Sequence, residues 1–155
     1  MYSIRKIKPE EVNDALALAL EVFMQFEAPD YRFEGVKTFK RDIIENETFI
    51  ADCKQGKCPI YGAFDNNKLI GIIGMRSTTH INLVFVKREY HRQGVATALF
   101  RFLLNDLLLE NPDLHEITLN SSPYAKPFYL HTGFLSLSDE QEINGIRFTP
   151  MKYVI

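Results

Sequence analysis

Apolar residues are spaced at helical intervals in the first third of the chain. After Pro9, an apolar residue recurs every three or four positions to about Glu27, which predicts a first helix. The apolar positions of this stretch are Val12, Leu16, Leu20, Phe23 and Phe26. A second, shorter helix is predicted over residues 34–45, and a weak alternation over residues 2–7 predicts a strand before both helices. Residues 46–57 are polar and are predicted to be irregular, apart from a strand turn at residues 49–51.

The rest of the chain alternates strand-like runs with two helices. Strands are predicted at residues 60–64, 69–75, 79–86, 115–121, 134–137 and 147–153. Helices are predicted at residues 94–110 and 124–131, with Gly133 as the cap that ends the second. This order predicts an α/β fold of the α+β mixed-sheet type, a single domain over residues 1–155 whose central mixed sheet is flanked by helices. Its strand–helix–strand unit at residues 80–121 is expected to be parallel and right-handed.

The helix predicted over residues 94–110 has one apolar face and one polar face. Its predicted inward positions are Val95, Leu99, Phe102 (with Leu103) and Leu107. Its predicted outward row is Thr97, Arg101 and Asn105. A helix with this pattern covers one face of a sheet.

The composition excludes several classes of protein. With 46% hydrophobic and 25% charged residues, the chain has the make-up of a globular domain. A net charge of −2 argues against a nucleic-acid partner, since nucleic-acid binders carry a basic excess. No apolar run is long enough to span a bilayer, and the first residues lack the apolar core of a signal peptide. We therefore expect a cytoplasmic protein without a membrane partner.

The chain has two cysteines, Cys53 and Cys58. Their separation is wider than is usual for metal or dithiol redox sites, and no second Cys or His pair completes a zinc set. A disulfide in a loop is disfavoured in a reducing compartment. We expect two free thiols and no metal cofactor.

A short basic turn follows the strand-like run of residues 81–86. It reads Tyr90-His91-Arg92-Gln93-Gly94-Val95-Ala96-Thr97 and opens a helix. The first N–H groups of a helix have no partner within it, so such a turn suits a diphosphate. Gly94 lets a phosphate approach the main chain. A plain strand-to-helix crossover with a solvated turn explains the same residues, so this turn alone leaves both interpretations open.

A second block, at residues 120–134, contains Tyr129 four residues before a Gly133-Phe134 pair. With both blocks in this order, the sequence resembles the GNAT (Gcn5-related N-acetyltransferase) superfamily. The acyl-CoA motif of that family, Gln/Arg-x-x-Gly-x-Gly/Ala, corresponds to residues 91–96, where His91 replaces the leading Gln or Arg. Because the motif acts mainly through backbone N–H groups, this departure weakens the match only slightly.

The resemblance implies a set of site residues. The CoA pyrophosphate is expected at Arg92, Gln93, Gly94, Val95, Ala96 and Thr97. The backbone of Val84, Phe85 and Val86 is expected to pair with the pantetheine arm as an added strand would. Asn120 and Ser122 are expected to contact the pantetheine or acetyl region. Tyr129 is expected to protonate the leaving CoA thiolate, a reasonable role for a phenol.

The reaction that the resemblance implies is transfer of the acetyl group of acetyl-CoA to a primary amine. The acceptor is expected to be a small molecule or a peptide, and the amine is expected to attack the thioester directly in a ternary complex without a metal. The alternative is a non-catalytic acyl-CoA-binding or sensing module on the same fold. A screen of amines that measures thiol release distinguishes the two.

The general base and the acceptor stay open at this point. Several family members use a Glu early in the strand before the second block, where this chain has Ile117. Four residues are weighed as bases, each interpreted first as solvated or structural: Glu27, Asp30, Tyr31 and His80. The acidic group of Glu27, Asp30 and Glu34 favours a cationic acceptor if it faces the cleft. The apolar stretch at residues 143–155 allows a homodimer.

Overall fold

The computed structural model describes residues 2–155, in which eight strands form one mixed sheet. The strands are β1 (Tyr2–Lys6), β2 (Ile60–Asp65), β3 (Lys68–Met75), β4 (His80–Val86), β5 (Glu116–Ser121), β6 (Leu135–Ser136), β7 (Gln141–Ile143) and β8 (Ile146–Val154). The helices are α1 (Val12–Phe26), α2 (Phe33–Phe39), α3 (Glu47–Lys54), α4 (Val95–Glu110) and α5 (Lys126–Thr132). The α2 helix continues as a π-helical turn, Lys40–Ile44. None of these helices is long and apolar enough to cross a membrane.

The sheet has the order β1-β2-β3-β4-β5-β8-β6, with β7 paired to β8. Among the strands of residues 2–155, only β4 and β5 pair in parallel, so the predicted mixed sheet and the predicted parallel unit are both confirmed. Neighbouring residues of a strand point to opposite faces. In β3, Ile72 packs into the hydrophobic cluster of α1 and Ile73 into the cluster of α4. The two helices therefore cover opposite faces of the sheet, as predicted.

Strand β4 leaves its parallel neighbour soon after it begins. The pairing with β5 is limited to His80 with Thr118 and Ile81 with Leu119. On the other side, Gly74 pairs with Leu83 and Met75 with Ile81, so Asn82 is an extra residue in β4. Such a bulge bends a strand and changes the direction of its side chains. We call this point, where β4 bulges and separates from β5, the fork.

Three features differ from the sequence prediction. Residues 47–54 form a helix, because Asn46 caps it by accepting a hydrogen bond from the Phe49 N–H at 3.0 Å. Strand β7 was not predicted, since its side chains are all exposed and carry no alternating pattern. On α4, Phe100 and Leu103 are buried whereas Phe102 is 39% exposed. The predicted inward position of Phe102 is therefore wrong; its ring lies beside that of Tyr61.

The two cysteines are free and buried, which confirms the expected thiols. Cys53 lies on α3 rather than in a loop. Burial raises the pKa of the Cys53 thiol to about 12 and raises that of Cys58 as well. Both thiols therefore stay protonated at neutral pH and are poor nucleophiles.

The β7–β8 hairpin is anchored on α2. Its turn, Asn144-Gly145, has positive φ at both residues, which is typical of an Asn-Gly hairpin turn. The Thr38 hydroxyl donates to the Asn144 carbonyl at 2.6 Å. A Cβ at Gly35 would overlap the Gly145 carbonyl oxygen, so a glycine is needed on α2 for the hairpin to come this close.

Gly35→Ala is expected to destabilise the protein, although alanine is the better helix former. The new methyl overlaps backbone that has no room to move, and we expect a loss of about 1–3 kcal/mol in the free energy of unfolding. Chemical denaturation measures it. The control is Lys37→Ala, at an exposed position of the same helix. A Gly35→Ala protein as stable as wild type would contradict the close docking of the hairpin.

Candidate active site

The start of α4 leaves its N–H groups open. Gly94 is the N-cap residue with φ of 78°, and no side chain caps the helix. Arg92 also has a positive φ, 62°, which is uncommon for a residue other than glycine. Left-handed residues next to a helix start make a concave group of N–H donors that binds anions. The turn therefore has the backbone geometry of an anion site.

A cavity of about 650 Å³ opens at this turn, and we call it the helix-start cavity. It is lined by Val22, Phe26, Glu27, Val84, Phe85, Val86, Tyr90, His91, Arg92, Gly94, Val95, Ala96, Thr97, Tyr124, Ala125, Phe128, Tyr129 and His131. Eight of the predicted cofactor residues are in this set. Gln93 is not, and its side-chain amide donates to the Glu89 carbonyl at 3.1 Å. Any contribution of Gln93 would come from its backbone.

His91, which departs from the family pattern, holds the turn against the sheet. Its Nε2 lies 2.7 Å from the Val86 carbonyl oxygen and donates to it. Its ring also lies 4.7 Å from the ring of Phe26 on α1. The imidazole thus links the end of β4 to the turn, a structural contact that leaves the backbone donors free.

The second half of β4 presents a free backbone edge. After Ile81 the strand has no parallel partner, although β3 pairs with its other side as far as Val86. Alternate residues of a strand direct N–H and C=O to opposite sides. Some backbone groups of Val84 to Val86 therefore point into the gap beyond the fork, where an extended ligand chain fits as an added strand.

A second cavity, of about 350 Å³, lies between α1, α2, the fork and the β7–β8 hairpin, and we call it the hairpin cavity. It is lined by Phe23, Glu27, Tyr31, Thr38, Phe39, Asp42, Ile43, Arg76, Ile81, Asn82, Leu83, Val84, Phe85, Leu119, Asn120, Ser122, Ala125, Tyr129, Ile143, Asn144, Ile146 and Phe148. Asn120 and Ser122 line this cavity and not the helix-start cavity. The Ser122 hydroxyl accepts a hydrogen bond from the Ala125 N–H at 3.2 Å, so it also fixes the turn before α5.

The two cavities meet at a shared wall. The residues that line both are Glu27, Val84, Phe85, Ala125 and Tyr129. Two of these, Glu27 and Tyr129, carry groups that donate or accept protons. A molecule in one cavity therefore reaches a molecule in the other beside a carboxyl and a phenol.

Tyr129 is buried, with 8% of its surface exposed, and it packs edge-on against Phe128 and Phe134. Burial raises the pKa of its phenol above the usual range, and the charge of Glu27 raises it further. The hydroxyl therefore stays protonated at physiological pH. The hydroxyl is therefore always able to donate a hydrogen bond, although it gives up its proton less readily than a free phenol does.

Glu27 follows the last residue of α1 and is half-buried. Burial raises the pKa of its carboxyl to about 8, and the charge of Asp30 adds to the rise. A carboxyl with a pKa near neutrality, in a cavity, has the properties of a general base. Of the four residues weighed as bases, it is therefore the one that this site favours. Sequence alone could not reveal this, because the pKa depends on the packing of α1 against the sheet.

The other residues weighed as bases do not share this position. Burial lowers the pKa of His80 to about 4, and its Nδ1 pairs with the Thr118 hydroxyl at 2.8 Å outside both cavities. Asp30 and Glu34 are exposed and line neither cavity. Tyr31 lines the hairpin cavity, and burial raises its pKa above the usual range. Of the acidic group, only Glu27 faces the site.

Sequence reasoning missed five polar residues of the hairpin cavity. These are Thr38, Asp42, Arg76, Asn82 and Asn144. They lie on different elements, and no motif joins them. Only the folded sheet, the hairpin and the π-helical turn bring them together.

The sequence matches a known family model and a named relative. Residues 27–155 match the family model of the acetyltransferase (GNAT) domain. The uncharacterized N-acetyltransferase YafP of Escherichia coli (strain K12) is 33% identical over 97 residues, which are 62% of this chain. The match spans 59% of the length of that relative.

Two solved structures are similar over nearly their whole lengths. A GCN5-related N-acetyltransferase from Rhodopseudomonas palustris superposes with a TM-score of 0.80 at 20% identity, covering 99% of this chain and 95% of that one. The PaiA N-acetyltransferase of Thermoplasma acidophilum, solved in complex with coenzyme A, gives 0.77 at 18% identity, covering 100% and 99%. These structures support the fold, and the match of the family model over residues 27–155 supports membership: the chain belongs to the GNAT acetyltransferase domain family.

Proposed function

We propose that this protein transfers the acetyl group of acetyl-CoA to a primary amine by direct attack in a ternary complex. The observation that carries the proposal is the shared wall of the two cavities, where Glu27 and Tyr129 lie together. The helix-start cavity includes the open N–H groups at the start of α4, and the hairpin cavity does not. The first suits a phosphorylated acyl donor, and the second suits the acceptor.

The acetyl-CoA site would be formed by backbone more than by side chains. The open N–H groups at the start of α4 would bind the pyrophosphate, helped by the charge of the Arg92 guanidinium. The free edge of β4 at Val84 to Val86 would bind the amide groups of the pantetheine arm. This arrangement directs the thioester toward the shared wall. A backbone N–H of the same edge, near Phe85, would stabilise the charge that develops on the carbonyl oxygen.

The amine must lose a proton as it attacks. Its nitrogen forms a bond to the carbonyl carbon while the carbon–sulfur bond breaks, and the Glu27 carboxylate takes the proton from nitrogen. With a pKa of about 8, Glu27 is a stronger base than an ordinary carboxylate. The ionised form is the active form, so the reaction should accelerate as the pH rises toward that value.

Tyr129 would stabilise the departing thiolate by donating a hydrogen bond. Its raised pKa opposes complete proton transfer at the start of the reaction. Part of that rise comes from the charge of Glu27. Once Glu27 has accepted the proton of the amine, this charge is gone and the phenol becomes more acidic. The two groups therefore support the transfer in sequence.

Tyr129→Phe is expected to reduce kcat by about 100-fold while the KM for acetyl-CoA stays close to wild type. The phenyl ring keeps the packing against Phe128 and Phe134 and removes only the donor. Steady-state kinetics with a fixed amine measures both constants. An unchanged kcat would remove Tyr129 from the mechanism.

The reaction itself is tested by release of CoA thiol from acetyl-CoA in a panel of primary amines. The proposal predicts release that depends on the amine, with one N-acetylated product for each thiol. Binding of CoA by calorimetry with no amine-dependent release from any amine would instead indicate the non-catalytic acyl-CoA-binding module. The calorimetric titration thus separates a failed reaction from a failed cofactor site.

A further inference from the structure

The strongest unexplained feature of the hairpin cavity is the side chain of Asn82. Both polar atoms of its amide, Nδ2 and Oδ1, are buried without a hydrogen-bond partner among residues 2–155. Buried amides in native proteins are nearly always paired, because an unpaired group forfeits its hydrogen bonds to water. An orphan amide on a residue of a cavity wall therefore points to a partner that arrives with a ligand.

The position of Asn82 explains why the fold leaves it unpaired. It is the extra residue at the fork, where β4 bulges against β3 and separates from β5. Ile81 and Val84 pack on the side of α4, whereas Leu83 and Phe85 pack on the side of α1. The bulge thus breaks the alternation and leaves the Asn82 side chain on the cavity wall between two strands that no longer pair.

Arg76 lies on the wall of the same cavity, just after β3. It is the only cationic side chain among the described residues of that wall, and it makes no ion pair with a carboxylate of residues 2–155. The backbone N–H of Arg76 donates to the His80 carbonyl at 2.9 Å, so the backbone of Arg76 lies beside the start of β4. Its guanidinium is available for an anionic group of the acceptor.

The spacing along β4 sets the length of the acceptor. Val84, on the shared wall, is four residues beyond His80, which corresponds to about 10–13 Å of strand when the bulge is allowed for. Asn82 lies between these two levels. The long side chain of Arg76 covers part of the distance. The remaining distance corresponds to a chain of several bonds between the reacting nitrogen of the acceptor and the group bound by Asn82 and Arg76.

The chemistry of that group follows from both side chains together. The Asn82 amide offers one donor group and one acceptor, so its partner must carry both kinds. An amide or an amino carboxylate satisfies this condition, and the positive charge of Arg76 favours the second. The apolar part of the wall, with Phe39, Ile146 and Phe148, suits the methylenes in between.

We propose, building on the acetyl transfer proposed above, that the acceptor is a long-chain diamino acid. Its terminal amine lies at Glu27 and is acetylated. Its carboxylate accepts hydrogen bonds from Arg76 and from Asn82 Nδ2, and its α-ammonium donates to Asn82 Oδ1. Asn82 and Arg76 are thus specificity residues, and they have no part in the bond-making step.

Three probes with the same reacting amine test this assignment. Lysine carries the complete head group, aminohexanoate lacks the α-ammonium, and pentylamine lacks both charged groups. We expect kcat/KM, followed by thiol release, to fall in that order, with lysine at least about tenfold above pentylamine. Mass spectrometry of the lysine product should place the acetyl group on the side-chain nitrogen.

Two variants and a control complete the test. In Asn82→Leu and in Arg76→Gln the ratio of kcat/KM for lysine to that for pentylamine should collapse toward one, whereas in Arg101→Gln, an exposed position of α4, it should keep the wild-type value. Asn82→Leu removes an unpaired amide, so the Tm of the free protein should also rise, by about 2–4 °C.

Each contrary result has a distinct meaning. Equal kcat/KM for lysine and pentylamine in the wild type, or acetylation of lysine on its α-nitrogen, would contradict the assignment of a diamino acid as the acceptor. The proposed acetyl transfer would not be affected by either result. A lower Tm of Asn82→Leu overturns the orphan amide on which the assignment rests. No thiol release from any of the three probes or from the wider panel overturns the proposed function together with it.

Discussion

Glu27→Gln is expected to lower kcat by about 100-fold or more, because glutamine keeps the shape of the side chain and cannot accept the proton of the amine. Thiol release at saturating acetyl-CoA measures the loss. The matched control is Glu21→Gln, an exposed glutamate of α1 that lines neither cavity. Wild-type kcat in Glu27→Gln would show that another group takes the proton.

The raised pKa of Glu27 also predicts two dependences on pH. Since the ionised form is active, kcat/KM of the wild type, which reports groups of the free enzyme, should rise with pH and level off above about 8. The folded-state pKa of about 8 lies above the unfolded value of 4.5, so the folded protein binds the proton more tightly. The stability from this group is complete below pH 4.5 and is lost as the pH rises through 8. At pH 9, Glu27→Gln should therefore be more stable than wild type, as measured by urea denaturation.

Gly94→Ala is expected to weaken CoA binding by at least about tenfold. Alanine disfavours the φ of 78° that Gly94 adopts, so the backbone should relax and redirect the N–H groups at the start of α4. Calorimetric titration with CoA measures the change. The affinity of a helix start for phosphate depends on these directions, which no side chain of the turn replaces.

Gly56→Ala is the control for the backbone strain itself. Gly56 has φ of 81° and open space around its Cβ position, nearly the same as Gly94. Both variants should lose about 1–2 kcal/mol in the free energy of unfolding. Only Gly94→Ala should lose CoA affinity. Equal CoA affinity in the two variants would mean that the cofactor does not bind at this turn.

The sequence predicted most of what local chemistry determines. Helical spacing predicts α1 and α4, and the basic turn with its glycine predicts the open start of α4 at Gly94. These features depend on residues close together in the chain. The α3 helix is a local feature that was not predicted, although its cap at Asn46 and its buried residues Phe49 and Cys53 are close together in the sequence. The polar composition of this stretch hid the helical pattern.

The features that were not predicted depend on tertiary packing. The raised pKa of Glu27 depends on the burial of its carboxyl at the end of α1. The fork at Asn82 is caused by a β-bulge, which no sequence pattern predicts. The hairpin cavity combines α1, the turn after α2, strand β4 and the β7–β8 hairpin. Residues so distant in the chain carry no common motif, so the acceptor side of the site is visible only in the folded protein.

The most direct test of the account is a single ligand that spans both cavities. A conjugate that joins the sulfur of CoA through an acetyl bridge to an alkylamine should bind far more tightly than CoA alone. Hydrogen exchange should then be slowed in both segments at once, at residues 92–97 of the helix-start cavity and at residues 142–148 of the hairpin cavity. Protection confined to residues 92–97, with the affinity of CoA alone, would contradict the claim that the two cavities meet at Glu27 and Tyr129.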